Sequence, residues 1–463
     1  MAMGRGRFAG RVRRLREHTL AELHTLFGPW VGVGPGFGGP ERRRLFFPSR
    51  TFWLFLSQVL SADGSCRAAV RKFLAWLAAH DGVAASPNTA AYCKARGRLS
   101  EELLARRWRR VTRRVEARAA GEGLWCGRRV KVADGSGLSM ADTAENQAVY
   151  PQSSRQKPGC GFPAMRIVAL FSLATGTLLA LAKDRLRVHE RTLFQRLWSH
   201  LEPGDVVLGD RGFCGYADYC CLAERGVECV MRKNGRRSVG ATPGRRLGKG
   251  DRLIHWHKTG RCPKWLDREA WRAMPDRLTV REVHFVVDIP GFRTEAITVS
   301  TTLLDPQAYP TDAFIELYRR RWMAELFLRD IKTTLGMDIL SCKTPDMVHK
   351  ELLMYLMAHN LVRALMLEAS LRHGVPVHRI SFKGTLSTVR EWAPVLATTS
   401  RTRRQGLVER LLAILARDPL PDRPNRVEPR ARKRRPKNYQ LLNKPRRQFK
   451  EIIHRSKYRK PLS

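Results

Sequence analysis

The chain has 463 residues, with 85 Lys and Arg against 42 Asp and Glu, for a formal net charge of +43. Hydrophobic residues make up 43% of it and aromatics 8%, which supplies a real core and excludes a wholly disordered chain. An excess of positive charge on this scale works against the compact state unless a polyanion offsets it, and nucleic acid is the partner that does so by counterion release.

An anionic membrane is the weaker alternative. No apolar run reaches the roughly 18 residues of a spanning helix. The charge-free stretch Ile167–Ala182 is split by Ala174-Thr175-Gly176-Thr177, which reads as a turn between two strands. The N-terminus is basic but lacks the apolar stretch of a secretory signal. Ten cysteines are scattered without a disulfide framework, so we expect free thiols in a reducing, cytoplasmic setting and no membrane partner.

In chain order, the first 120 residues read as helical. Phe52–Leu60 and Ala68–Ala78 are apolar and separated by Ala62-Asp63-Gly64-Ser65, a turn signal. Leu104, Trp108, Val111 and Val115 then recur at helical spacing among Arg106, Arg107, Arg109, Arg110, Arg113 and Arg114, giving an apolar face on an arginine-covered helix suited to a DNA backbone. From residue 128 the texture changes. Val130-Lys131-Val132-Ala133 reads as a strand ending in Asp134-Gly135-Ser136. Strands Met165–Leu173 and Leu178–Lys183 follow, then a helix over His189–Leu201. Asp205-Val206-Val207-Leu208-Gly209 reads as a buried strand ending in Asp210-Arg211-Gly212-Phe213.

Further on, Arg236–Gly250 is Gly- and Arg-rich and reads as a loop. Arg281–Asp288 and Thr294–Thr302 read as strands joined through Pro290-Gly291. Helices are expected over Ala313–Thr334 and Val348–Leu371. Residues 421–463 hold 16 Lys and Arg against 3 acids. The organisation expected is a helical DNA-binding region at 1–120, an α/β core in two parts at 121–220 and 311–400, a β-rich insertion at 221–310 and a basic region at 401–463.

Three carboxylates carry the chemical reading. Asp134 and Asp210 end the first and fourth strands, and adjacent strands lie about 5 Å apart. Two carboxylates that close repel unless a proton or a cation intervenes. On the helix from Ala313, at about 100° per residue, Tyr318, Arg321, Glu325 and Lys332 fall in one stripe roughly 60° wide beside the apolar face. Glu325 can therefore join the aspartates, and three hard oxygen donors favour two Mg²⁺ or Mn²⁺ ions over zinc. Such a pair can stabilise both the attacking and the leaving oxygen of a phosphodiester. Taken singly, each residue has a plain reading: a turn for Asp134, a cap for Asp210, surface pairs for the helix. Cys214, Cys220, Cys221, Cys229 and Cys262 show no zinc-binding C-x2-C pair.

The spacing Tyr318-x2-Arg321-x3-Glu325-x6-Lys332 resembles the YREK signature of bacterial insertion-sequence transposases of the DDE type. Asp134 in VADGSG and Asp210 in LGDRGF resemble that family's two catalytic aspartates. Trp322, Tyr92-Cys93-Lys94-Ala95-Arg96, Glu428-Pro429-Arg430 and Lys444-Pro445-Arg446 extend the similarity over nearly the whole chain. The resemblance implies an RNase H-like core. It implies cleavage at transposon ends with two divalent cations, attack by the freed 3′-hydroxyl through a hairpin intermediate, and strand transfer into target DNA. It also implies a homodimer holding both ends, near the nucleoid. Asp134, Asp210 and Glu325 would hold the metals. Tyr318, Arg321, Lys332, Trp322 and Arg211 would contact the DNA. An aromatic in the insertion (Trp256, Trp265, Trp271, Phe285 or Phe292) would stack a flipped base. The alternatives are a nuclease of the same core without strand transfer, and a non-catalytic DNA-binding descendant.

Overall fold

The computed structural model describes residues 20–32, 37, 45–79, 85–233, 241–258, 260–287, 295–421, 444, 445 and 448. The chain opens with helices α1 (Ala21–Val31), α2 (Pro48–Leu60), α3 (Cys66–Ala79), α4 (Ala90–Arg98) and α5 (Glu101–Arg118). Ser100 caps α5 by accepting from the Leu103 amide, and Glu101 and Glu102 occupy its first turn, where the helix dipole favours acids. Leu104, Val111 and Val115 are its buried face, as their spacing predicts.

Next come β1 (Val130–Met140), α6 (Ala144–Val149), β2 (Ala164–Ser172), β3 (Leu178–Arg185), α7 (Glu190–Gln195), β4 (Val206–Gly209), α8 (Tyr216–Glu224) and β5 (Glu228–Arg232). β1 pairs antiparallel with β2, and β2 with β3; β4 lies parallel to β1, and β5 parallel to β4. The segment after β5 contributes β6 (Ala241–Gly248), β7 (Asp251–His257), α9 (Arg268–Ala273), β8 (Arg277–Val287) and β9 (Glu295–Thr301). Its strands extend the same sheet, in the order β3-β2-β1-β4-β5-β9-β8-β7-β6. Part of the expected Arg236–Gly250 loop is thus a strand: β6 has poor strand composition but is paired by β7, and a ladder partner outweighs intrinsic propensity. Pro290-Gly291 lies outside the described residues. At the centre of this extension Arg281, fully buried, donates to both carboxylate oxygens of Asp251 at 2.9 and 2.5 Å.

The second half is helical: α10 (Thr311–Arg320), α11 (Trp322–Arg329), α12 (Pro345–His373), α13 (Phe382–Thr398) and α14 (Arg401–Arg417), with a two-residue strand β10 (Ile339–Leu340). The single helix expected over Ala313–Thr334 is broken at Arg321 and ends in a π turn over Asp330–Thr334, closed by the Leu335 amide on the Asp330 carbonyl at 3.0 Å. α12 starts with Thr344 as cap and Pro345 at its first turn, and stops at Gly374. It is apolar enough to cross a membrane, a property not apparent in the sequence reading. However, 94% of its apolar window is buried inside the protein, so it is a core helix.

Helices cover both faces of the sheet. Val130, Val132, Ile167 and Phe171 point to a large core shared with α5, α11, α12 and α13. Ala133, Val168, Leu170 and Val207 point to a second core shared with α7 and α8. The alternation follows from the two-residue period of a strand.

Candidate active site

The parity of the strands places the two aspartates. Val130, Val132, Val206 and Leu208 face the larger core, and the same two-residue step carries Asp134 and Asp210 to that face. Val130 pairs with Val206 and Val132 with Leu208, so the register, if continued, sets Asp134 opposite Asp210. β4 stops at Gly209, while β1 continues to Met140. Asp134 is therefore not at the end of its strand, as the sequence suggested. It sits where β4 peels away and leaves the β1 edge open. That edge is taken up again only at Ser139 and Met140, which pair with Ile339 and Leu340 of β10. Between the two pairings, from Ala133 to Leu138, this edge of β1 carries no strand.

α11 covers this face and brings Glu325. The Arg321 guanidinium donates to Glu325 Oε1 at 2.9 Å and lies 5.9 Å from the centre of the Tyr318 ring. Tyr318 is buried against Phe285, ring to ring at 6.2 Å. Burial pushes the Tyr318 hydroxyl up, with Arg321 opposing and Asp210 adding to the rise. Burial also pushes the Asp134 carboxyl up, to about 6; the Gly135 amide and Arg321 oppose this, and the negative charges of Glu325 and Asp210 add to it. The three carboxylates thus share one electrostatic environment.

Lys332 reaches the same strand by a different route from the one its helical angle suggested. Past Asp330 the backbone is a π turn, and from there Lys332 Nζ donates to Ser136 Oγ at 2.8 Å. Asp210 caps the turn that follows it, accepting from the Arg211 amide at 2.7 Å. The Arg211 side chain is exposed. Trp322 is 44% exposed beside Arg321. The sequence reading missed Ser136, although it stands in the same Asp-Gly-Ser run. Of the aromatics considered for base stacking, Trp256, Trp271 and Phe285 are buried; Trp265 is half-buried against Trp198; Phe292 lies outside the described residues.

The family model of the transposase DDE domain matches residues 125–361, from just before β1 into α12, and so spans this whole arrangement. The chain belongs to the DDE transposase family. It is 27% identical over 354 residues to the transposase InsG of insertion sequence element IS4 from Escherichia coli (strain K12), covering 75% of this chain and 77% of that one. A solved structure, the piggyBac transposase synaptic complex with hairpin DNA, covers 87% of this chain and 83% of that chain at 8% identity and a TM-score of 0.41, a likeness too loose to bear on the site. The protein is a DNA transposase, an enzyme of metal-dependent phosphodiester hydrolysis and transesterification.

The transposase family works with divalent metal ions. The donor chemistry here fits such an ion: three carboxylates are hard oxygen ligands, and a cation would offset both the burial that chiefly raises Asp134 and the repulsion that Glu325 and Asp210 add to it. The spacing is wider than a ligand shell. Among the described residues no three His, Cys, Asp or Glu side chains are gathered closely enough to hold a metal, and Glu325 is turned onto Arg321.

Proposed function

We propose that Asp134, Asp210 and Glu325 are the catalytic carboxylates of an RNase H-like core and together hold two Mg²⁺ or Mn²⁺ ions at the ends of a transposon. The observation that supports this reading is that Asp134 and Asp210 each follow by two residues a β1–β4 pair, Val132 and Leu208, on the sheet face covered by Glu325's helix, with Asp210 and Glu325 both acting on the Asp134 carboxyl. The sheet order β3-β2-β1-β4-β5, with an antiparallel three-strand meander followed by two parallel strands, supports the RNase H-like assignment. Bound ions would supply charge stabilisation for the attacking and leaving oxygens.

The chain's own groups do the rest. Arg321 bonds only Oε1 of Glu325, so Oε2 would remain available to a metal, and the Arg321 guanidinium beside it would bind a phosphate next to the cleaved bond. Lys332, tethered to Ser136 of the strand that carries Asp134, grips the terminal nucleotides, and Tyr318, buried beside Arg321, contributes its hydroxyl edge to the same end. Trp322 and Arg211, both exposed, contact the DNA. Water attacks the end phosphodiester and releases a 3′-hydroxyl. That hydroxyl attacks the phosphodiester of the opposite strand to close a hairpin, expelling the flanking DNA with its own 3′-hydroxyl, and water reopens the hairpin before the joining to target DNA. A homodimer holds the two ends. The test is Glu325→Gln, which removes one negative ligand and keeps the shape. It is expected to bind end DNA as the wild type does and to lose strand cleavage in Mg²⁺ and Mn²⁺. Metal-dependent cleavage surviving in this variant would overturn the assignment.

A further inference from the structure

A large basic cleft lies apart from the three carboxylates, none of which lines it. It has a volume of about 1850 Å³ and lies between α5 and the strand entrances of the sheet. One wall carries Arg106, Arg109 and Arg113; the other carries Arg129, Lys131 and His200. Nine Arg and Lys line it against three Glu. One of those acids, Glu116, is largely buried and bonded to Thr175, and another, Glu202, is paired with Arg129 at 2.6 Å.

The cations divide into two groups. Some are tied to the fold: Arg107 donates to the Gly32 carbonyl at 2.7 Å, Lys131 and Arg129 meet buried Asp205 at 2.6 and 3.2 Å, and Arg128 donates to the Tyr309 hydroxyl at 2.7 Å. Others face the opening with little to hold them. Arg106 and Arg109 share the single exposed Glu102, at 3.7 and 3.2 Å, and Arg113 is exposed. The positive charges crowd one another. Burial lowers the Arg107 guanidinium, and Arg110 and Arg106 lower it further. Burial lowers His200, and Lys131 and Arg109 add to the effect from its own wall and from the opposite wall. An anion in the cleft would relieve both.

The spacing selects the anion. Arg106, Arg109 and Arg113 follow one helical stripe, and from 106 to 113 the helix rises about 10 Å. Duplex DNA advances about 3.4 Å per base pair, so the stripe spans about three steps of a phosphate backbone. The position separates this cleft from the chemistry. Its lining includes Val130, Lys131 and the Glu202–Gly204 turn, which enter β1 and β4, whereas Asp134 and Asp210 lie three or more residues further along the chain. At about 3.3 Å per residue the two places are roughly 10 Å or more apart.

We propose that this cleft is a second DNA site, which binds the phosphate backbone of duplex DNA about three or more base pairs from the bond that is cut, through Arg106, Arg109 and Arg113. The proposal rests on DNA being the substrate and not on the assignment of the three carboxylates.

The experiment compares the full-length R106Q/R109Q/R113Q variant with R67Q/R71Q. Arg67 and Arg71 are exposed on α3 outside this cleft. Binding to a duplex of the terminal sequence of the element is measured without divalent metal over a range of salt. The triple variant is expected to lose affinity and to lower the slope of log K against log salt by roughly 0.9 for each phosphate it no longer neutralises, about 2–3 in all. The control is expected to keep the wild-type slope, and matching thermal melts are expected to show that the fold is intact in both. Hydroxyl-radical footprints are expected to lose protection only at phosphates away from the cut bond. An unchanged slope in the triple variant, an equal fall in the control, or a loss of protection centred on the cut bond would each overturn the proposal. None of these readings depends on cleavage, so a failed Glu325→Gln test leaves this result standing.

Discussion

Arg363 of α12 donates to Asp330 Oδ2 at 2.7 Å, and both side chains are at most 10% exposed. The pair pins the π turn that carries Lys332 to the core helix, 33 residues later in the chain. Burial shifts both groups toward their neutral forms, the carboxyl up and the guanidinium down, and each partner opposes the shift on the other. Desolvation therefore weighs heavily against the mutual attraction.

For such a pair, removing one member is costly and removing both is not. Arg363→Met leaves Asp330 as a buried, unpartnered carboxylate and is expected to lower the unfolding free energy by about 3–5 kcal/mol. The double variant D330L/R363M is expected to recover most of that loss. Urea denaturation of both decides the matter. A double variant as unstable as the single one would show that the pair contributes more than it costs to bury.

This pair also shows why part of the site could be read in the sequence and part could not. The buried strands that lead into Asp134 and Asp210 were legible because their apolar runs are local, and so was the helix that carries Glu325. The π turn was not. It depends on a partner on a different helix, so an ideal-helix projection misplaced Lys332 and passed over Ser136. The length of β1 was likewise hidden. Gly135, Ser136 and Gly137 read as a turn, yet they pair with Val168, Ile167 and Arg166 of β2, and β-propensity yields to such a neighbour. Gly135 has a second use there: a Cβ at that position would stand 2.8 Å from Glu190 Oε2. The basic tail over 422–443 and the Glu428-Pro429-Arg430 motif lie outside the described residues.

His359 predicts an acid sensitivity. Its Nε2–H donates to the Gly176 carbonyl at 3.0 Å, and its Nδ1 is buried without a hydrogen-bond partner, so the ring is neutral. Burial first and Arg363 second lower it from 6.5 to about 3, against the opposing Gly176 bond. A base depressed on folding binds its proton more readily in the unfolded chain. Its contribution is complete above pH 6.5 and is lost as the pH falls toward about 3, at up to about 1.4 kcal/mol per pH unit. His359→Phe is expected to flatten that part of the stability profile. Unfolding free energies measured across this window check it, and an unchanged slope would assign the acid sensitivity to other groups.

Gly176 is where this network tolerates no side chain. Its φ is +72°, and a Cβ there would lie 2.9 Å from Arg363 Cζ and from Phe327 Cε1. Gly176→Ala therefore adds left-handed backbone strain of roughly 1–2 kcal/mol to the cost of moving a buried guanidinium off its partner. We expect a clear fall in melting temperature. A variant that melts with the wild type would show that the turn relaxes without disturbing Arg363.

Lys332 provides the direct link from this framework to DNA. In the free protein its ammonium is held by Ser136 Oγ at 2.8 Å, a neutral partner that leaves the charge available to a phosphate. Lys332→Ala is expected to weaken end binding and to lower the salt slope by about 0.9, the value of one neutralised phosphate. Ser136→Ala keeps the charge and removes only its tether, so it should leave the slope unchanged and cost less affinity. Titrating both variants against end duplex over a range of salt separates the two roles. Equal slopes for Lys332→Ala and wild type would place Lys332 off the DNA path, whatever becomes of cleavage.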